Sequence, residues 1–224
     1  MDANSITRIA SLIGEAGRIR MLTALLDGNG HSASELAMAA AVSPQTASSH
    51  LSKLLSGGLL VSERRGRQRI FRLKSTDVAM AVEALGALAE KWGDPAMPEM
   101  RFARTCYDHL AGVLAIALRS ELLRRGVLRN RGDAFILTPI GERFLRTIDI
   151  DVESVRGRRR FFARKCLDWT ERQHHIGGSL GAALLSRFVE MKWLARLRKT
   201  RAVRLTHDGE RGFERVFGIH SPHL

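Results

Sequence analysis

The feature of this sequence that most restricts its fold is an internal duplication. "FARTCYDH" (Phe102–His109) returns sixty residues later as "FARKCLDW" (Phe162–Trp169), and the two copies hold Cys106 and Cys166, the chain's two cysteines. The likeness continues beyond them. "HLAGVLAIAL" (His109–Leu118) matches "HIGGSLGAAL" (His175–Leu184) at a spacing of 66, and "LTPIGERFL" (Leu137–Leu145) matches "LTHDGERGF" (Leu205–Phe213) at 68. Each copy spells a helix, a hairpin and a helix. In the first, a long helix ends at Gly126, "VLRNRGDAFILT" folds back as two strands, and Thr138-Pro139 opens a closing helix as N-cap and N1. In the second, "WLARLRKTRAVRLT" and Thr206 play the same parts. These are two degenerate winged-helix-like repeats, at about residues 99–151 and 159–224. Repeats bury their apolar faces against each other, so a pseudo-twofold axis should bring Cys106 near Cys166.

The sequence ahead of the repeats follows a different plan. Ile6, Ile9, Ala10 and Ile13, then Ile19, Leu22, Leu25 and Leu26, fall at helical spacing and predict two short amphipathic helices. Ser34 offers an N-cap to a short helix around Glu35–Ala40. Ser43 and Pro44 then start a stronger one, whose buried face runs through Ala47, Leu51, Leu54 and Leu55 until Gly57-Gly58. Two short helices across a tight turn form a helix-turn-helix. "GLLVSERRGRQRIFRL" follows as strand, Arg-rich turn and strand, with Gly66 at the tip: a basic β-hairpin wing. Val78, Val82, Leu85 and Ala89 predict one more helix before "GDPAMP", Gly93–Pro98, breaks the chain. The expected fold is therefore mainly α with small β-hairpin wings. It comprises an N-terminal winged helix-turn-helix in residues 1–92 and a C-terminal region, 99–224, built from the two repeats.

With Ser49-His50-Leu51 in the recognition helix and the wing directly after it, "VSPQTASSHLSKLLSGGLLVSERRGRQRIFRL" resembles the winged helix-turn-helix of the ArsR family of bacterial transcriptional repressors, over residues 6–92. The resemblance implies a homodimer, paired partly through the first and last helices of this domain, that binds a double-stranded operator and releases it when an effector binds. It also has gaps. Metal-sensing relatives carry Cys-x-Cys where this chain reads "ELAMAA", or His and carboxylates on the last helix, where "DVAMAVEALGALAEKW" has no His. The usual member ends near the equivalent of Trp92, so the effector is expected to act through the additional C-terminal residues.

Charge supports a polyanionic partner. Thirty-six Lys and Arg against 23 Asp and Glu give a formal net charge of +13. The longest apolar run, Leu110–Leu118, stops at Arg119, well short of the roughly 20 residues that span a bilayer. No secretory signal opens the chain, so a cytoplasmic location and reduced cysteines are expected.

For DNA contact the candidates are Ser43, Gln45, Thr46, Ser48, Ser49, His50 and Lys53 on the recognition helix, whose hydroxyls, amides and cations suit base edges and phosphates. Arg64, Arg65, Arg67 and Arg69 on the wing join them. For an effector the candidates are Cys106, Asp108, His109, Cys166, Asp168, His174 and His175. Four uses stay open for these residues: core packing of both cysteines, a Cys2His2 metal set, a thiol switch, or the lining of a small-molecule pocket. On the helical reading, Cys106 and His109 share a helix face. Six inserted residues beginning at Thr170 then push the second histidine pair more than two helical turns from its cysteine. Nucleophile elbow, HExxH and phosphate-loop motifs are all missing, so an enzyme is not expected. The function read from the sequence is a dimeric repressor with an effector that is a small molecule, metal or thiol oxidant. The alternatives are a ligand-independent or architectural DNA-binding protein and, further off, an enzyme or metal-binding protein fused to a DNA-binding domain.

Overall fold

The computed structural model describes residues 2–92, 97–197 and 200–220. Two compact units divide the chain, Met1–Glu83 and Ala84–Leu224. Of the break expected at Gly93–Pro98, residues 93–96 lie outside the described residues, as do residues 198–199 of the second repeat's wing.

The first unit runs α1 (Ala3–Ile13), α2 (Ala16–Ala24), a short strand β1 (His31–Ser32), α3 (Ala33–Ala40), α4 (Pro44–Ser56), β2 (Leu60–Arg65) and β3 (Gln68–Leu73), and enters α5 (Thr76–Trp92). The cap of α3 is Ser32, two residues before the Ser34 expected from sequence. Its hydroxyl accepts from the Glu35 backbone N–H, while the Glu35 carboxylate accepts from the Ser32 N–H, a reciprocal capping box. Ala41, at φ 54°, makes the turn into α4, where Ser43 caps and Pro44 takes the first helical position. Strands β2 and β3 pair antiparallel from Leu60↔Leu73 to Arg65↔Gln68, with Gly66 at φ +60° in the tip, and β1 adds to the outer edge of β3. Leu22, Leu25, Leu36, Leu51, Leu54 and Phe71 fill the core beneath.

In the second unit, each repeat carries a front hairpin ahead of its long helix, where the sequence predicts the start of that helix. The first repeat comprises α6 (Pro98–Phe102), β4 (Arg104–Cys106), β5 (His109–Ala111), α7 (Val113–Arg124), β6 (Leu128–Arg131), β7 (Ala134–Leu137), α8 (Pro139–Arg146) and α9 (Val152–Arg156). The second comprises β8 (Arg164–Leu167), β9 (His174–Gly177), α10 (Gly178–Glu190), β10 (Leu194–Arg196), β11 (Val203–Leu205) and α11 (His207–Phe217). Thr138 and Thr206 cap the closing helices by accepting from Gly141 and Gly209.

The repeats interlock through backbone pairing. Phe135 N–H donates to Ala163 O and Lys165 N–H to Asp133 O, which sets the front hairpin of the second repeat beside the wing of the first in one sheet, β6-β7-β8-β9. The same bonds recur with the roles exchanged: Val203 N–H donates to Ala103 O and Thr105 N–H to Arg201 O. This is a pseudo-twofold relation written in hydrogen bonds. Gly112 and Gly178, at φ +91° and +80°, turn the equivalent strand-to-helix corners, and a Cβ on either would lie within 2.6 Å of a backbone oxygen. Phe188, Trp193, Phe213 and Phe217 pack with Leu118, Leu122 and Leu184 into one shared core. Among the described residues, no helix is long and apolar enough to cross a membrane.

Candidate nucleic-acid interface and a buried cysteine–histidine cluster

Helix α4 turns Ala47, Leu51 and Leu54 inward and leaves Gln45, Thr46, Ser48, Ser49 and Lys53 exposed. His50 departs from the expected polar face. It is buried, with Nε2 3.3 Å from Glu15 Oε2 at the start of α2. Positions 47, 50, 51 and 54 form one helical stripe, so His50 braces α2 rather than facing outward. Ser43 is exposed, but its hydroxyl accepts from the Thr46 N–H as the helix cap. A cleft of about 360 Å³ runs from Ser48 and Ser52 to Arg67 and Arg69 on the wing. Arg64, Arg65, Arg67 and Arg69 are all exposed. Arg65 reaches Glu63 at 2.8 Å, and Arg69 donates to Ser62 Oγ and lies 5.4 Å from the Phe71 ring. Such weakly held surface guanidiniums can exchange these partners for phosphates.

The second constellation is buried. Cys106 and His109 are directly opposite across a two-residue turn, Tyr107-Asp108, with Tyr107 at φ 61°. Cys166 and His175 are likewise cross-strand partners, with the six extra residues of the second copy lengthening the hairpin loop. Both pairs are thus products of strand register, and the helical expectation is overturned. Strand alternation sends His175 inward and His174 out to solvent, away from the cluster. Partial desolvation, and after it the positive charges of Lys165 and Arg119, lower the pKa of His174.

Four donors converge where the hairpins meet. Cys106 Sγ and Cys166 Sγ are 3.7 Å apart, nearly twice a disulfide bond length. His109 Nε2 and His175 Nε2 are 3.1 Å apart, and all four side chains are buried. Behind each histidine stands the aspartate of the duplicated Cys-x-Asp: Asp108 Oδ1 lies 3.3 Å from His109 Nδ1, and Asp168 Oδ2 lies 3.2 Å from His175 Nδ1. The second contact is close but poorly aligned for a hydrogen bond.

Each aspartate has its own cation. Arg160 pairs with Asp108. Arg104, with no exposed side-chain surface, donates to Asp168 Oδ1 at 2.8 Å and lies 4.6 Å from the Trp169 ring. Gly112 N–H donates to the other oxygen of Asp168 at 2.6 Å, so this carboxylate of the second repeat holds two groups of the first. Burial works against ionising Asp108, but hydrogen bonds from His109 and Arg160 outweigh it and lower its pKa to about 2. Asp168 is likewise lowered, against its burial, by His175 and Arg104. Burial disfavours charge on His109 too, yet the Cys106 sulfur and Asp108 raise its pKa to about 10.

A model for a helix-turn-helix domain matches residues 17–63. The chain is 43% identical over 221 residues to the uncharacterized HTH-type transcriptional regulator YdfF of Bacillus subtilis (strain 168), covering 96% of this chain and 98% of that protein. Among solved structures, it is similar to the homodimeric winged helix-turn-helix DNA-binding domain of Mb0332 from Mycobacterium bovis, a possible ArsR-family transcriptional regulator. That match has 24% identity over 41% of this chain and 83% of that one, with a TM-score of 0.38. Reduced HlyU from Vibrio cholerae gives 27% identity over 38% and 90%, with a TM-score of 0.36.

Proposed function

The chain belongs to the HTH-type transcriptional regulators, and we propose that it is a dimeric repressor released from its operator by an effector taken up in the C-terminal unit. The observation that carries the DNA-binding mode is the exposed polar row Gln45, Thr46, Ser48, Ser49 and Lys53 beside a wing with five arginines in nine residues, Arg64–Arg72. In this mode α4 lies in the major groove, where amide and hydroxyl groups can read base edges, and the wing follows the phosphate backbone. Dimerisation is supported by large apolar side chains left at the surface, Ile6 on α1 and Leu85 and Leu88 on α5. The effector reading is supported by the buried cluster of titratable and nucleophilic groups where the two repeats meet.

The test is binding to DNA from the protein's own promoter, followed by fluorescence anisotropy across a salt series. Arg65→Ala with Arg67→Ala should weaken binding to every sequence and reduce the slope of log K against log salt by about 1.8, at about 0.9 for each phosphate no longer neutralised. Gln45→Ala should instead change the preference among operator variants. An unchanged salt slope in the wing variant overturns the wing's role.

A further inference from the structure

We infer that Cys106, His109, Cys166 and His175 form a closed four-coordinate site for one zinc-class divalent metal ion, which ties the front hairpins of the two repeats together. The assignment deepens the reading of the C-terminal unit as the regulatory part by giving it a ligand. It stands on three features of the cluster.

The first is size. With metal–sulfur bonds of about 2.3 Å and metal–nitrogen bonds of about 2.0–2.1 Å, the edges of a tetrahedron are about 3.8 Å between sulfurs and about 3.4 Å between nitrogens. The cluster has 3.7 Å between its sulfurs and 3.1 Å between its Nε2 atoms, and all four donors lie within 4.8 Å of one another. The sulfur–sulfur and nitrogen–nitrogen pairs match these edges, and the mixed pairs, within 4.8 Å against an edge of about 3.6 Å, close around one ion with an adjustment of about an ångström.

The second is orientation. Each carboxylate facing an Nδ1 favours a proton on that nitrogen, so the two Nε2 atoms meet across 3.1 Å at a place for one cation: the extra proton of His109 in the metal-free cluster, or a metal ion that displaces it to solvent. Two lone pairs at that distance repel unless a cation or proton lies between them. Carboxylate, imidazole and metal in this order are the usual outer support of a histidine ligand.

The third is charge. Two thiolates and two neutral imidazoles around a divalent ion sum to zero, and each supporting aspartate is neutralised separately by Arg104 or Arg160. The whole assembly can therefore be buried without a net charge. Four protein donors leave no position for substrate, which is the pattern of a structural or sensory site rather than a catalytic one.

The experiment uses the full chain, purified without a metal-affinity tag. Elemental analysis should find one zinc per chain, and X-ray absorption should show two sulfur and two nitrogen neighbours. After chelation under reducing conditions, Co(II) should restore a tetrahedral spectrum with sulfur-to-cobalt charge-transfer bands. Cys106→Ser with Cys166→Ser should lose the metal, His174→Ala should keep it, and Asp108→Asn should bind it 10- to 100-fold more weakly. Cobalt titration of the unsubstituted chain keeps the test decisive if the double variant fails to fold. Stoichiometric metal in the double cysteine variant overturns the assignment. So does a reduced, folded chain that holds no zinc and gives no tetrahedral cobalt spectrum, or a Cys106–Cys166 disulfide in freshly isolated, zinc-free protein. Operator affinity is measured separately with and without zinc: full occupancy with unchanged DNA binding refutes the effector reading and leaves the site standing.

Discussion

Arg104→Met tests whether the buried ion pair holds the repeats together. Arg104 and Asp168 expose none of their side-chain surface, and the arginine comes from the first repeat while the aspartate comes from the second. The substitution keeps much of the side-chain length but gives up the guanidinium's place over the Trp169 ring. It removes donation to Asp168 Oδ1, Thr170 Oγ1 and Met100 O at 2.8, 3.1 and 3.1 Å. Asp168 would still accept from the Gly112, Thr170 and Glu171 N–H groups, but as a buried carboxylate without its cation. Removing one partner of such a pair costs about 3–5 kcal/mol. With a urea m-value of about 2 kcal/mol/M, the unfolding midpoint should fall by about 1.5–2.5 M. Tryptophan fluorescence reads this unit selectively, because Trp92, Trp169 and Trp193 all fall within Ala84–Leu224. A chelator in the buffer keeps metal occupancy out of the comparison. Arg160→Met is the control: its pair with Asp108 is about a quarter exposed on both sides, so the midpoint should move by no more than about 0.5 M. An equally small shift for Arg104→Met would refute the argument.

Gly178→Ala should lower the same fluorescence midpoint by at least about 0.5–1.5 M, the equivalent at the same m-value of the roughly 1–3 kcal/mol of a strained left-handed residue, since its Cβ would also lie 2.5 Å from Phe161 O; an unchanged midpoint would show that the corner can relax. His50→Ala should lower the thermal stability of the first unit, followed by circular dichroism, and leave operator preference as it was. A changed preference would put His50 back among the groove contacts. His31 and Asp27 form a part-buried pair at 2.8 Å, in which the hydrogen bond to Asp27 raises the pKa of His31 against its burial and that of Asp27 is lowered. The His31 contribution is complete below its unfolded value of about 6.5 and is lost as pH rises through the raised folded value; the Asp27 contribution is complete above about 3.9 and is lost as pH falls through the lowered one. The stability gap between the unsubstituted chain and Asp27→Asn should therefore be widest between about pH 4 and 6.5 and narrow on the alkaline side. A gap that widens above pH 7 would contradict the pairing.

The first unit was legible because its signals are local. Ser43-Pro44 and the glycine in the wing tip each act within a few residues of the backbone they control. Two misreadings there had their corrections in the sequence. Ser32, and not Ser34, stands three residues before Glu35 and satisfies the capping-box spacing. His50 occupies the i+3 position of the stripe begun by Ala47, a place for a buried side chain that its polarity concealed. The hairpins of the second unit were harder to see. β4 and β5 have three residues each, too few to display an alternation, and the turn between them uses Tyr107 at φ 61° where a glycine or asparagine would have announced it. What forces this backbone is pairing with a wing more than 60 residues away, as in Thr105 N–H to Arg201 O, and local sequence has no means of displaying that partner.

The duplication itself carried the information that local reading lacked. Each repeat contributes one cysteine, one histidine opposite it across a strand pair, and one aspartate behind the histidine. Half a tetrahedral site is of little use, and a single hairpin offers only two donors. The second half arrives by the same backbone pairing that completes each sheet, so building the cluster and docking the repeats are one event. The six extra residues in the second copy do not disturb this, because they enter the loop beyond the pairing of Leu167 with His174 and leave Cys166 facing His175. Sequence spacing therefore differs between the copies, 60 residues from cysteine to cysteine and 66 from histidine to histidine, while spatial register is kept. A ligand at the cluster would act on the junction of the repeats, where Asp168 already joins Arg104 and Gly112, and any energy it supplied would bear directly on how firmly the two halves of the unit hold each other.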